Sequence, residues 1–341
     1  MNYRAQTFNT LLCFSIGLIP VTSSVFAQTD ACTNRGELDA QYCDANKDLV
    51  ADTPTDSKRL KNPSTIVFTY TPVEDPAVYE KVFSPFTNHL ATCTGKKVVF
   101  FQVQSNAAEI EAMRSGRLHV GGFSTGPTAF AVNIAGAVPF AVKGGEKEFQ
   151  GYNLILIVKK DSAFMKAADL KGKKVAHTSP SSNSGHLAPL SLFPTEGLVP
   201  DKDYKILFSG KHDQSILGVG TGDYDAAAVA SDVFQRMAVR GQIKEENYRI
   251  IYRSPRFPTS SFSIAHDLEP VLATKIKQCF YDYRFTDEMK KAFDGADRFF
   301  PITYQKDWDI VRRVAASGGE SFNRANYEQE QAREAAAKAK K

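Results

Sequence analysis

Residues 174–189, KVAHTSPSSNSGHLAP, run from a strand-like stretch into a turn crowded with hydroxyl and amide donors. Ser181, Ser182, Asn183, Ser184 and Gly185 then open what reads as a helix. The first turn of a helix leaves backbone N–H groups unpaired and carries partial positive charge. Small hydroxyl side chains there surround a tetrahedral oxyanion without steric conflict. The same residues also suit a plain Ser-rich N-cap. Gly151-Tyr152 stands where one half of the chain passes into the next, so Tyr152 is placed either to donate across a cleft or to sit in the core with its hydroxyl satisfied. In Ser209-Gly210-Lys211-His212-Asp213, His212 opens a second helix at the carboxyl end of a strand. That is the edge where open α/β sheets take ligands. Asp232, near the start of the next helix, either caps that helix or faces the same cleft.

No signature of a particular reaction is present: no G-x-S-x-G elbow, no G-x-x-x-x-G-K-[ST] loop and no H-E-x-x-H pair. Ser184, His212 and Asp225 can be drawn as a hydrolase triad, but nothing in their spacing supports it. The expectation is a protein without catalysis and without a cofactor. Asp44, Asn46, Asp48 and Asp52 alternate as oxygen donors in the manner of a calcium loop. Leu49 replaces the glycine of the sixth position and the bidentate glutamate is missing, so a solvated acidic linker fits better than a metal site.

The chain has 341 residues, 43% hydrophobic and 23% charged, with a formal charge of +4. This is an ordinary globular balance, and no basic stripe argues for nucleic acid. Residues 1–27 read as a secretory leader: Arg4 precedes an apolar core at 11–21, and Val25-Phe26-Ala27 suits cleavage. That core is too short for a stable anchor, and no later run is long enough, so direct membrane insertion is not expected. A periplasmic location follows. Beyond the leader stand Cys32, Cys43, Cys93 and Cys279. An even count in an exported chain suggests two disulfides. Three pairings are open; a local clip Cys32–Cys43 with a long tie Cys93–Cys279 is favoured.

Residues 28–62 are polar and read as an extension ahead of the fold. From 64 onward strands and helices alternate: strands at 65–69, 97–103, 118–123, 152–158, 174–177, 204–208, 225–229 and 250–253, with helices between them. Alternation of this kind implies βαβ units. Two such sets predict an α/β fold with two lobes, each a mainly parallel sheet flanked by helices. The expected boundaries are 63–150 plus 253–320 for a discontinuous first lobe and 151–252 for the second. The charged tail, 321–341, reads as helical or frayed; its Ala-rich part, 328–341, is a helix former with no apolar stripe and is expected to be exposed.

The order Gly151-Tyr152, then SNSG at 182–185, SGKHD at 209–213 and DYDAA at 223–227 resembles the phosphonate/phosphite-binding proteins of ABC importers, the PhnD-like family. The phrase DLKGKKV at 169–175 and the run RSPRFP at 253–258 look like that wider class of periplasmic binding proteins. The resemblance covers roughly 64–300 and implies the type II periplasmic-binding-protein fold, with an anion held between the lobes. It assigns Ser182, Asn183 and Ser184 to the phosphonyl oxygens, with Asn where the family has Thr. It adds His212 and Tyr152 as donors, and Asp232 at the place of an acid that pairs with a ligand amine. Two positions depart: Ser260 stands for a second acid and Asn106 for a first-lobe tyrosine. Losing one carboxylate weakens the case for an amino-substituted ligand. Thr125, in Gly122-Phe123-Ser124-Thr125-Gly126, adds a donor or simply shapes a turn. The implied guest is a compact phosphorus oxyanion, the implied partner a membrane permease, and the expected state a monomer. The other reading is a periplasmic oxyanion-sensing subunit, of phosphate or arsenic type, feeding a signalling kinase; an arsenite reader would need a free thiol in the cleft.

Overall fold

The structure is a computed structural model describing Met1 and residues 32–338. The expected leader therefore lies, after Met1, outside the described residues. In the first lobe β1 (Thr65–Tyr70), α1 (Ala77–Thr94), β2 (Lys97–Phe100), α2 (Asn106–Arg114), β3 (Val120–Phe123), α3 (Thr125–Ala135) and β4 (Ala137–Gly144) follow one another. The chain crosses to a second lobe containing β5 (Gly151–Lys159) and β6 (Val175–His177). A π-helical turn (Asn183–Leu187) then continues into α4 (Ala188–Leu192). The same lobe holds β7 (Ile206–Phe208), α5 (His212–Thr221), β8 (Ala226–Ala230), α6 (Ser231–Val239) and β9 (Tyr248–Pro258). The chain returns for β10 (Ser261–Ala265), α7 (Pro270–Asp282), α8 (Asp287–Ala292) and β11 (Arg298–Pro301). It finishes with α9 (Tyr304–Asp307), α10 (Asp309–Ser317) and α11 (Arg324–Lys338).

Six strands pair in the order β11-β4-β10-β3-β1-β2 and five in the order β7-β6-β8-β5-β9. The sheets are mixed rather than mainly parallel. Pairs β1–β2, β1–β3, β6–β7 and β6–β8 are parallel. Every pair made by β4, β5, β9, β10 or β11 is antiparallel. The reason is connectivity. β4 and β5, like β9 and β10, lie in different sheets; β5 and β10 enter theirs from the other lobe rather than through a helical crossover, and each runs against both of its neighbours. Three strands, β4, β10 and β11, escape the sequence reading. β4 carries Pro139, which the sheet accommodates beside a register shift between Phe262 and Ser263.

The apolar face of α1 is written at helical spacing by Tyr79, Val82, Phe83, Phe86 and Leu90, all buried. It packs on an aromatic core in which Phe86 meets Phe280 at 4.5 Å between centroids and Phe262 meets Phe299 at 4.7 Å. Each fully buried phenylalanine contributes roughly 1.5–3 kcal/mol. A disulfide between Cys93 and Cys279, Cα atoms 6.0 Å apart, ties α1 to α7, and Cys32–Cys43 closes a local loop at 5.5 Å.

Two expectations about the ends are corrected. The described part of the polar extension packs on the fold, with Leu38, Tyr42 and Ala51 buried. Asp44 is buried too, its oxygens accepting from the amides of Asp48 and Leu49. Asp52 accepts from the Ala45 amide, and Asn46 donates to Asp48. These carboxylates cap a turn, and no group of three or more His, Cys, Asp or Glu among the described residues is arranged to hold a metal. The tail is not free at its start: Phe322 and Tyr327 are buried against Phe130, and Arg324 pairs with Asp39. Its apolar anchors are two aromatic residues five positions apart, too few to register as a stripe.

Candidate functional site

The parallel strands set the site, because helices that follow them start at their carboxyl ends and aim N-termini into the space between the lobes. The starts of α2 and α3 come from the first lobe; those of the π-helical turn, α5 and α6 come from the second. α3, α5 and α6 begin without a side-chain cap, so their first amides remain available to an anion. α3 starts at Thr125, earlier than the sequence suggests, because Pro127 is tolerated in a first helical turn. Together they surround a cavity of about 40 Å³. Asn106 and Thr125 line it from the first lobe, Ser182, Asn183, His212 and Asp232 from the second, and Tyr152 and Ser260 from the crossings. The two crossings are themselves joined, Thr259 donating its amide to the Gln150 carbonyl.

The ninth expected residue, Ser184, does not line the cavity. It is buried, and it acts on the Tyr152 phenol from there. The hydrolase triad is not assembled. Asp225 accepts from the Lys174 amide, and His212 uses Nδ1 to accept from the Ala230 amide, 3.1 Å. That bond fixes the tautomer: Nε2 carries the proton. Burial pushes His212 down to about 4, against smaller upward pulls from Asp232 and Glu74. The ring is therefore a neutral donor at neutral pH. Ser182 caps the π-helical turn through Gly185 N–H, 3.1 Å, which uses its oxygen and leaves its proton free. Asn183 donates to the Tyr152 hydroxyl at 3.1 Å. Burial raises the Tyr152 phenol, opposed by its bonds to Thr125, Asn183 and Ser184, so it stays protonated. Thr125 spends its own hydroxyl proton on the Pro258 carbonyl, 2.8 Å.

The lobes are in contact around the cavity. Asn106 Nδ2 donates across it to Ser179 Oγ at 3.2 Å, while Thr71 holds the amide oxygen of Asn106 at 3.1 Å. Asp232 accepts from Arg236 Nη1 at 2.8 Å, and the same guanidinium reaches Asp294 and Glu74 from the first lobe at 3.3 and 3.1 Å. Burial alone would raise the Asp232 carboxyl, but Arg236, with Lys143 and His212, outweighs it and holds it lowered. The Asp232 charge is thus already matched by the protein.

Sequence reasoning missed Tyr70, Lys211 and Arg236, which also line the cavity. Each had a signal. Tyr70 is the last residue of β1, Lys211 precedes His212 at the same helix start, and Arg236 lies one turn after Asp232.

A family model for periplasmic substrate-binding proteins of phosphonate ABC transporters matches residues 68–308. The chain belongs to this family. Among its relatives, the phosphate-import protein PhnD of Mycolicibacterium smegmatis is 28% identical over 277 residues, covering 76% of this chain and 85% of the relative. The phosphonates-binding periplasmic protein of Escherichia coli is 24% identical over 233 residues, covering 67% and 69%. Among solved structures, a binding-protein component of an ABC phosphonate transporter from Pseudomonas aeruginosa superposes with TM-score 0.67. It is 22% identical and covers 81% of this chain and 95% of its own. PhnD1 of Prochlorococcus marinus, in complex with methylphosphonate, also gives 0.67 at 20% identity, covering 76% and 100%. The fold is thus the type II periplasmic-binding-protein fold of this family, and its members named here are transport proteins. Among the described residues no helix is long and apolar enough to cross a membrane.

Proposed function

We propose that this phosphonate-family binding protein captures a small phosphorus oxyanion (phosphite, phosphate or a short alkyl phosphonate) between its lobes and delivers it intact to a membrane permease. The observation that carries this reading is the convergence of helix starts with the neutral donors Ser182 and His212 on one cavity of about 40 Å³ that Tyr152 and Asn106 also line. A buried water needs roughly 10–15 Å³ on this measure, so the space suits about three waters, or one tetrahedral anion. Long alkyl or nucleotide substituents do not fit. Four or five charge-assisted hydrogen bonds at about 1.5–3 kcal/mol each, less ordering costs, support sub-micromolar affinity.

The engagement of Asp232 by Arg236 argues for a guest without an amine, since no unmatched carboxylate remains for an ammonium. An arsenite sensor is disfavoured: the four described cysteines are all in disulfides and none lines the cavity. The protein acts as a carrier without turnover, and the broken triad supports that. One chain completes the cavity, which supports a monomer. Calorimetry against phosphite, phosphate, methylphosphonate, 2-aminoethylphosphonate and arsenite tests the ligand class. His212→Ala and Ser182→Ala are each expected to weaken binding at least tenfold; if both leave affinity unchanged, this cavity is not the binding site.

A further inference from the structure

Lys143, on β4, is 2% exposed. Its ammonium lies 4.4 Å from the centroid of the Phe293 ring and donates to the Tyr70 hydroxyl. Among the described residues no carboxylate comes within the 4.0 Å of an ion pair. A buried cation without a contacting counter-ion is costly, and a fold retains one where its charge is used.

Resting on the oxyanion reading above, we propose that Lys143 is a specificity and positioning residue: its charge is the counter-charge that lets a cavity lined by Asp232 hold a doubly charged guest, and through Tyr70 it orients the Ser260 donor. Tyr70 accepts from Lys143, so its own proton goes to Ser260 Oγ, 3.3 Å away. Ser260 then has its oxygen engaged and its proton free for the cavity it lines. Ammonium, phenol and hydroxyl form one aligned chain of donors, each polarising the next.

The charges nearby show why the ammonium matters. On α6, Arg236 and Arg240 are shared among three carboxylates: Glu74 after β1, Asp294 after α8, and Asp232 itself. Two cations face three anions. Lys143, outside those ion pairs, acts on both Asp232 and Asp294. It adds a third cation to that cluster, with Lys211 lining the cavity besides, so its loss leaves the surroundings of the guest one charge more negative. A dianion feels that deficit more than a monoanion of the same shape.

Methylphosphonate and methanesulfonate have that relation, one charge apart at alkaline pH. Calorimetry with wild type, Lys143→Met, Lys143→Arg and Tyr70→Phe decides the matter. Wild type is expected to prefer methylphosphonate. Lys143→Met is expected to weaken methylphosphonate at least tenfold while weakening methanesulfonate much less, so the preference narrows at least fivefold. Lys143→Arg restores part of it. Tyr70→Phe keeps the cation but breaks the chain, and is expected to lower affinity for both anions several-fold with the preference retained. Without ligand, Lys143→Met should melt no lower than wild type, because an unpaired buried ammonium gives way to an apolar chain of similar length. The proposal fails if Lys143→Met leaves the preference unchanged, whether affinity holds or both anions weaken equally, or if Tyr70→Phe changes nothing. A wild type that binds neither anion overturns the oxyanion reading itself, and this inference with it.

Discussion

His212 shows how a single side chain is turned into a neutral donor. The Ala230 amide occupies Nδ1, burial opposes a positive charge, and Nε2–H is left for the cavity. A charged imidazolium would bind an anion more strongly, but its protonation would make capture depend on pH. His177 is held neutral more firmly. Its two nitrogens are taken by His186 at 2.9 Å and Tyr204 at 2.7 Å, and burial pushes it down to about 3. In the unfolded chain both rings titrate near 6.5. Below that pH the unfolded state takes up protons that the fold refuses, so stability is complete above about 6.5 and is lost as pH falls toward about 4 and then 3. Urea midpoints measured from pH 7 down to pH 4 should therefore fall, and His177→Gln should flatten that slope. A slope unchanged by the substitution would mean that groups other than His177 carry the acid sensitivity. At this scale the sequence was legible for donors that sit in a short motif, Ser182, Asn183 and His212. It was not legible for Ser184, because neighbours on one turn point to different sides.

At the scale of elements, α3 is the closest contact between the lobes. All its residues are buried. A Cβ on Gly126 would stand 2.2 Å from the Ser181 carbonyl oxygen and 2.9 Å from the Asn183 amide nitrogen. Both are backbone atoms of the donor turn and cannot swing aside. Gly126→Ala is therefore expected to hold the lobes apart and weaken ligand binding at least tenfold. Stability without ligand should change little, since alanine is the better helix former by about 1 kcal/mol. Calorimetry paired with thermal melting of the unliganded protein checks this; unchanged affinity would mean that closure does not need this approach. The helix start at Thr125 was hidden in the sequence because Gly126-Pro127 reads as a loop. Only packing against the second lobe shows that the glycine is there for closeness and the proline for a first turn.

For the whole molecule, the crossings, the salt bridges of Arg236 to Glu74 and Asp294, and the Asn106–Ser179 bond describe a closed cleft. Closure by a ligand requires contacts that the ligand itself makes only in that state, to which these lobe-to-lobe bonds add. The Cys93–Cys279 disulfide works on a different quantity. It closes a span of 186 residues within the first lobe's α1 and α7. Losing it should destabilise the fold by about 3–5 kcal/mol, chiefly by freeing the unfolded chain. Neither cysteine lines the cavity, so the double Cys93→Ala, Cys279→Ala variant should melt lower yet bind with near-native affinity below its transition. Affinity lost in step with the melting temperature would show that the tie also positions the cleft.

Local patterning determined the alternating α/β elements, the two-lobed plan and the donor-rich turns at 182–185 and 209–213, because helix starts and strand runs are written by neighbours in the chain. Strand direction in the two sheets, the docking of both chain ends, the pairing of Arg236 with Glu74 and the burial of Lys143 behind Tyr70 were decided only by the tertiary structure. These depend on which segments, distant in the chain, meet in the fold, and the charge balance of a cavity is the sum of contributions that no local pattern contains.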